Sequence, residues 1–449
     1  MKTVPEPEEI ARRNLRAFTL FRMFFTARFY YPVYALLFLD YGLTLEQFGI
    51  LNGIWAVTIV LLEVPSGALA DTFGRRKLLV VASICMVLEM VVLLMAPING
   101  GNLMFTLFAL NRILSGIAEA AASGADEALA YDSLKAVGQE NRWGHVLERV
   151  QRMTSLAFFF AMMIGSAVYD AGLINAALQF VGVDFSVEQE QLIKLPILLT
   201  FCSSLVVLSM AMYMFEAPVQ LNDSLGATLV KSWRQTLLAI NWVWMNTFAF
   251  GIILGAMILD SVIRQFLTLA SEYWNVIELP VVSYGIIGSG MAIMGFFTPR
   301  IARLLAEKFK PAVNFSIVCT GVLIGLFGLS IVIPYWGILP AILLFAGMQL
   351  TNYLVSRYLN EVAPSGRRAT ILSLRGFSTN FIYGTVSFMY SGLIIWIRSG
   401  RSEESIANDA AIKDSIFIES LGWGPWYFLI SIVICVLSIR LQMARLSSK

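Results

Sequence analysis

Residues 67–79 read GALADTFGRRKLL, and long apolar runs flank them on both sides. Arg75, Arg76 and Lys77 stand in a row behind Asp71 and Gly74, so this stretch is a charged turn that cannot lie in hydrocarbon. The runs beside it, near 44–70 and 78–96, each reach the roughly 20 apolar residues that a helix needs to cross a bilayer. The stretch therefore reads as a hydrophilic connection between two membrane spans.

Moving outward, further apolar segments lie near 15–39, 102–131, 147–172 and 192–215, and then near 249–275, 281–306, 311–333, 336–360, 370–397 and 420–441. That makes six plus six, the pattern of an all-α integral membrane protein with twelve transmembrane helices in two pseudo-symmetric six-helix bundles. Composition agrees. Of 449 residues 58% are hydrophobic and 14% charged, and the mean hydropathy is +0.73, whereas soluble domains carry about 25% charged residues. A soluble enzyme of this size is excluded. The expected division is 1–215 for the first bundle, 216–248 for a linker and 249–449 for the second. In the linker, Lys231 and Arg234 beside Trp233, Trp242 and Trp244 predict an amphipathic helix on the membrane surface.

Basic residues orient the chain, because short loops rich in Lys and Arg stay on the cytoplasmic side. Arg12, Arg13 and Arg16, the 75–77 cluster, Lys135 and Arg142, Arg303, Lys308 and Lys310, Arg367 and Arg368, and Arg445 and Lys449 all fall in alternate connections. The opposite connections near Asp40, Asn99, Asn275 and Pro334 carry none, and only the two longer ones do, with Lys194, Arg398, Arg401 and Lys413. Both termini are expected in the cytoplasm, with the chain in a bacterial inner membrane. Cys85, Cys202, Cys319 and Cys435 lie in apolar runs and suggest neither a disulfide framework nor a zinc site. A net charge of +2 recruits no nucleic acid, and His145 is the single histidine. With no G-x-x-x-x-G-K-[ST] loop and no G-x-S-x-G elbow, neither ATP-driven nor serine-hydrolase chemistry is supported, and no cofactor is expected.

The turn after the second span resembles the G-x-L-A-D-x-x-G-R-[RK] motif of the major facilitator superfamily, with Gly67, Leu69, Ala70, Asp71, Gly74, Arg75 and Arg76 at the fixed places. A weaker echo, GFFTPRIARLLAEKFKP at 295–311, occupies the equivalent position in the second half. The resemblance implies a secondary transporter that works as a monomer by rocking its halves about a midplane site. It also implies that Gly67, Asp71, Gly74, Arg75 and Arg76 latch the halves on the cytoplasmic side. Expected partners are the start of span 11 near Ala369 for Asp71, and Asp126, Glu127 or Asp132 for the arginines; the basic cluster can alternatively serve topology alone. Arg112 and Gly116 resemble the R-x-x-x-G pattern of proton-coupled members. The G-x-x-x-G-P-x-x-G-G pattern of drug antiporters is absent, since AMMIGSAVYDAG offers Gly165 and Gly172 without a proline. Other strings, such as DEALAYDSLK, resemble a bacterial branch.

Ionisable residues inside spans are costly and so mark function by default. Arg112, Glu119 and Asp126 recur every seven residues on span 4 and share a face. Glu119 either carries a coupling proton or braces Arg112, and Asp126 and Asp260 are further proton-coupling candidates. On span 1, Arg28 beside Tyr31 calls for an anion, either a substrate group or an acid such as Glu63. Glu89 has no evident partner and is either lipid-facing or packed. Asp260 and Arg264 lie four apart on span 7 beside Gln265, free to pair with each other or to meet a ligand. The superfamily's cavity-lining helices add Gln349, Asn352 and Tyr353 on span 10, with Asn52 and Trp55 on span 2. Together these residues predict export of a small amphipathic or anionic organic solute coupled to protons. Multidrug efflux of lipophilic cations, proton-coupled uptake and a non-transporting receptor of the same fold are the alternatives.

Overall fold

The computed structural model describes residues 6–216, 225–364, 368–401 and 410–447; the side chains of Asp71 and of 368–370 are among those outside the description. All regular structure among the described residues is helical. The first span is broken: α1 (Pro7–Thr26) and α2 (Tyr34–Asp40) are separated by Ala27–Tyr30 and a 3-10 turn at Tyr31–Val33. Pro32 explains the break, because proline lacks an amide donor and pushes the preceding residue out of helical geometry. The freed amide of Phe29 donates to Thr200 Oγ1 at 3.0 Å, as a backbone group in hydrocarbon must find a partner within the protein.

Next come α3 (Leu45–Phe73) and α4 (Arg75–Met95), joined at Gly74, whose φ of 101° supplies the tight turn. The fourth span divides into α5 (Gly101–Ala122) and α6 (Ala125–Lys135) at Gly124, φ 75°. Then follow α7 (Trp143–Tyr169), α8 (Ala171–Phe180), α9 (Gln189–Leu192) and α10 (Leu195–Tyr213). The predicted linker helix is α11 (Leu225–Met245). Beyond it lie α12 (Thr247–Val276), α13 (Val281–Lys308), α14 (Pro311–Ile331), α15 (Ile338–Val362), α16 (Arg368–Arg398) and α17 (Ala410–Ser447). Among the described residues ten helices are long and apolar enough to span a membrane, and the bent α13 makes eleven. The count falls one short of the expected twelve at the first segment, 15–39, where Arg16, Arg22, Arg28 and the break interrupt the apolar run.

The chain forms two compact units. The first comprises Met1–Gly42, Thr58–Trp233 and Val281–Ala292, and the second Leu43–Val57, Arg234–Pro280 and Ile293–Lys449. In the first unit, Ala17, Phe18 and Phe21 of α1 share a core with Ala82 and Met86 of α4, Ala118, Ala121 and Ala122 of α5 and Val207 of α10. Small residues dominate because lipid offers no hydrophobic drive to bring helices together, so close packing must. Gly165 of α7 is such a place: a Cβ there would lie 1.8 Å from the Phe29 carbonyl oxygen, so the break in span 1 requires this glycine. Gly285, at the start of α13, meets the Met162 carbonyl of α7 in the same way.

In the second unit α12 is central, with 50% of its most apolar window buried, while α17 at 11% is peripheral. Phe266, Tyr273 and Trp274 of α12 form an edge-to-face group that Phe345 of α15 completes. The start of α3 belongs here too, with Gly49 against Ser391 and Gly53 against Phe388 of α16, and with Glu46 paired to Arg398. That pair explains Arg398, one of the few cations in a connection otherwise poor in them.

Candidate functional site

Two charge clusters stand inside the helices, one in each unit. In the first unit the break in span 1 turns Arg28 inward, leaving it 1% exposed. Its Nη1 pairs with Glu89 of α4 and donates to Tyr30 Oη at 3.2 Å, and its Nη2 lies 3.4 Å from Glu119 of α5. Glu89, not Glu63, is the acid that meets Arg28. The two carboxylates differ in access. The Glu89 side chain is sealed at 0% exposure, whereas Glu119 keeps 35%. Protonation of Glu119 therefore leaves a balanced Arg28–Glu89 pair, and no buried charge is stranded when a proton arrives or leaves.

Arg112 is not braced by Glu119. Its Nε and Nη2 donate to Asn111 Oδ1 at 2.8 and 2.6 Å, and its Nη1 donates to Tyr34 Oη at 2.6 Å, with the Tyr34 and Phe38 rings 5.5 and 5.3 Å from the guanidinium. Asn111 in turn donates to the Glu89 carbonyl at 2.8 Å. The third member of the seven-residue series, Asp126, sits past the Gly124 break in the first turn of α6, where its Oδ2 lies 3.0 Å from Arg22 Nε. Arg22 also pairs with Glu127 at 2.7 Å, and both line a cavity of about 510 Å³ with Thr26 and Gln151. Tyr31 is 38% exposed and stacks edge-on against Tyr30.

The basic turn binds within the same unit. Arg75 pairs with Asp132, one of its expected partners, while Asp126 and Glu127 go to Arg22 instead. Arg76 Nη2 donates to the Met212 carbonyl at 2.8 Å. Sequence reasoning missed Glu216, whose carboxylate accepts from the backbone amides of Arg75 and Arg76 at 3.0 and 2.8 Å and so caps α4 at its positive end. A Cβ on Gly67 would meet nothing within 4 Å among the described residues, so no close packing there calls for a glycine. The Asp71 side chain and its expected partner near Ala369 lie outside the described residues.

In the second unit Asp260 and Arg264 pair at 2.7 Å along α12. Arg264 Nη1 also donates to Asn380 Oδ1 of α16 at 2.8 Å, and its guanidinium lies 5.2 Å from the Tyr383 ring centre. Tyr383 meets Thr268 Oγ1 at 3.0 Å and the Trp55 ring edge-on. Arg375 of α16, also missed from sequence, donates to Asn352 Oδ1 of α15 at 2.6 Å and is within electrostatic reach of Asp260 and Arg264. Trp55, Arg264 and Asn352 thus gather in one cluster, with Asp260 in it. Gln265 faces away, toward Ser387 at 3.4 Å and an apolar cavity of about 320 Å³. Asn52 is buried and donates to the Phe48 carbonyl of its own helix at 2.9 Å. Gln349 is one turn from Asn352, and Arg357, four residues beyond Tyr353, pairs with Glu361 at 3.0 Å. No grouping of His, Cys, Asp and Glu that could hold a metal occurs among the described residues.

A family model described as Major Facilitator Superfamily matches residues 17–387. The fold is similar to a bacterial homologue of the human lysosomal transporter Spinster (TM-score 0.68, 16% identity, 98% of this chain and 97% of that one). It is also similar to the nucleoside transporter NupG (TM-score 0.69, 12% identity, 94% and 99% covered) and to a D-xylose–proton symporter (TM-score 0.62, 16% identity, 96% of each). No curated protein matches in sequence. These likenesses point to a membrane transporter and away from an enzyme.

Proposed function

We propose that this chain, which belongs to the major facilitator superfamily, is a secondary active transporter that exports a small amphipathic or anionic organic solute in exchange for protons. The observation that carries the coupling is the unequal pair of acids around Arg28, one sealed and one reachable. Burial raises a carboxyl's proton affinity and a neighbouring cation lowers it, so a change in access during alternating exposure is enough to load and unload Glu119. Asp126, held by Arg22 beside a cavity, and Asp260 are the secondary proton carriers. Residues 1–215 and 249–449 act as the moving halves, linked by 216–248, in a monomer whose termini both face the cytoplasm. The turn at 67–76 latches them. Arginines that lack a full carboxylate partner favour an anionic solute over a lipophilic cation.

Reconstituted vesicles test this reading. With the purified chain alone, an imposed pH gradient drives accumulation of at least one labelled organic anion, and Glu119→Gln abolishes the response to the gradient while retaining downhill exchange. Flux that ignores both the gradient and Glu119→Gln overturns the coupling. Absence of any flux overturns transport.

A further inference from the structure

The second unit holds a charge imbalance that its neighbours do not correct. Arg264 pairs with the Asp260 carboxylate at 2.7 Å, and Arg375, which makes no ion pair among the described residues, stands within electrostatic reach of both. Arg264 takes both oxygens of that carboxylate, at 2.8 and 2.7 Å, and the Asn380 amide oxygen as well. Arg375 is left with one neutral acceptor, the Asn352 amide oxygen, and its remaining N–H groups meet no protein acceptor among the described residues. Asn352 is exposed and Arg375 half-buried, so neither side chain is closed off by the protein.

A partly desolvated guanidinium with only a neutral acceptor is costly, because the loss of hydration is not offset by an opposite charge. An anionic oxygen arriving beside Arg375 restores the balance, since the cluster of two cations and one anion is short by one negative charge. Guanidinium geometry suits two parallel N–H···O bonds to a carboxylate or sulfonate, and the Asn352 side-chain amide can turn to donate once its oxygen is released. On the same helix Tyr383 stands against Trp55 at 6.1 Å between ring centres, and its ring also receives Arg264. These rings give a flat apolar wall to a solute body.

We infer that Arg375, with Asn352, is the receiving site for the anionic group of a singly charged organic anion whose ring or chain lies along Trp55 and Tyr383. This inference rests on the anion-transport reading above and places its recognition step in the second unit, since Arg28 is already neutralised by Glu89. Asp260 then has a second effect: by holding one of the two arginines it limits the site to a single negative charge.

The test uses the full chain in detergent with naphthalene-2-carboxylate, naphthalene-2-sulfonate and the neutral naphthalene-2-carboxamide as probes, read by titration of ligand-induced thermal stabilisation. Wild-type protein is expected to bind both anions and to bind the amide at least about tenfold more weakly, the size of one charge-assisted hydrogen bond. Arg375→Gln should remove that preference, Arg375→Lys should keep part of it because the charge remains without the fork, and Asp260→Asn should strengthen anion binding. Unliganded melting temperatures of the variants control for folding, and Arg375→Lys keeps the test open should Arg375→Gln fail to fold. Equal affinity for anion and amide in wild type, or an anion preference that survives in Arg375→Gln, overturns the site. Anion binding that is lost in Arg375→Gln but accompanied by no flux in vesicles leaves the site standing and sinks the transport reading instead. Proton-driven anion flux that is unchanged in Arg375→Gln does the reverse.

Discussion

Arg28 in the first unit and Arg375 in the second carry the same guanidinium group into a helical bundle and end in opposite electrostatic situations. Arg28 meets two carboxylates from different helices, one of them fully sealed, whereas Arg375 meets one neutral amide, within electrostatic reach of the Arg264–Asp260 pair. In the first arrangement Glu119 is the acid that stays reachable, and the proposed function gives it a proton and no solute. In the second the proposed site offers a guanidinium to an anion. Under the proposed function, proton exchange belongs to one unit and anion recognition to the other, and an alternating-access cycle would couple them without either charge crossing a hydrocarbon layer unpaired.

The sharpest way to break this contrast is to remove the sealed cation. Arg28→Ala leaves Glu89 buried without its partner and is expected to cost about 3–5 kcal/mol, seen as a large fall in melting temperature in detergent. Arg375→Ala is expected to leave stability nearly unchanged, and equal losses at the two positions would erase the distinction. Next in size is Arg112→Ala, which strands Asn111 and Tyr34 and should cost about 1.5–3 kcal/mol by the same measurement, the range for hydrogen bonds to a charged group. Glu119→Gln should cost only about 1 kcal/mol, since the acid is partly exposed and lies at the long end of pairing distance, yet it should remove the response of flux to a pH gradient. Smallest is Arg75→Ala, whose pair with a half-exposed Asp132 is worth at most about 1 kcal/mol. Asp71→Asn is expected to slow initial transport rates with an unchanged melting temperature, because it removes a gate charge and no core contact.

Much of the architecture was legible in the chain, and the parts that were not share a cause. The spacing of Arg112, Glu119 and Asp126 located a polar face, but one helix cannot say which neighbour that face meets. The partner of Arg28 comes from Glu89, 61 residues away on another span, and the partner of Glu119 proved to be Arg28 and not the arginine one heptad before it. Glu216 likewise reaches across 141 residues to cap α4, and its polar loop gave no hint of that duty. Arg375 carries no local signal either, since its acceptor Asn352 lies 23 residues away on the preceding helix.

Hydropathy, the positions of basic residues and the GALADTFGRRKLL turn determined by themselves that this chain is a helical membrane protein of the major facilitator type, because insertion into a bilayer is decided locally, segment by segment. They also determined that charges inside the spans must be satisfied. Which acid satisfies which arginine was decided only by tertiary structure. Such pairing depends on the break at Ala27–Tyr30, on the glycines that let helices approach, and on ångström differences in reach that no spacing along a single helix contains.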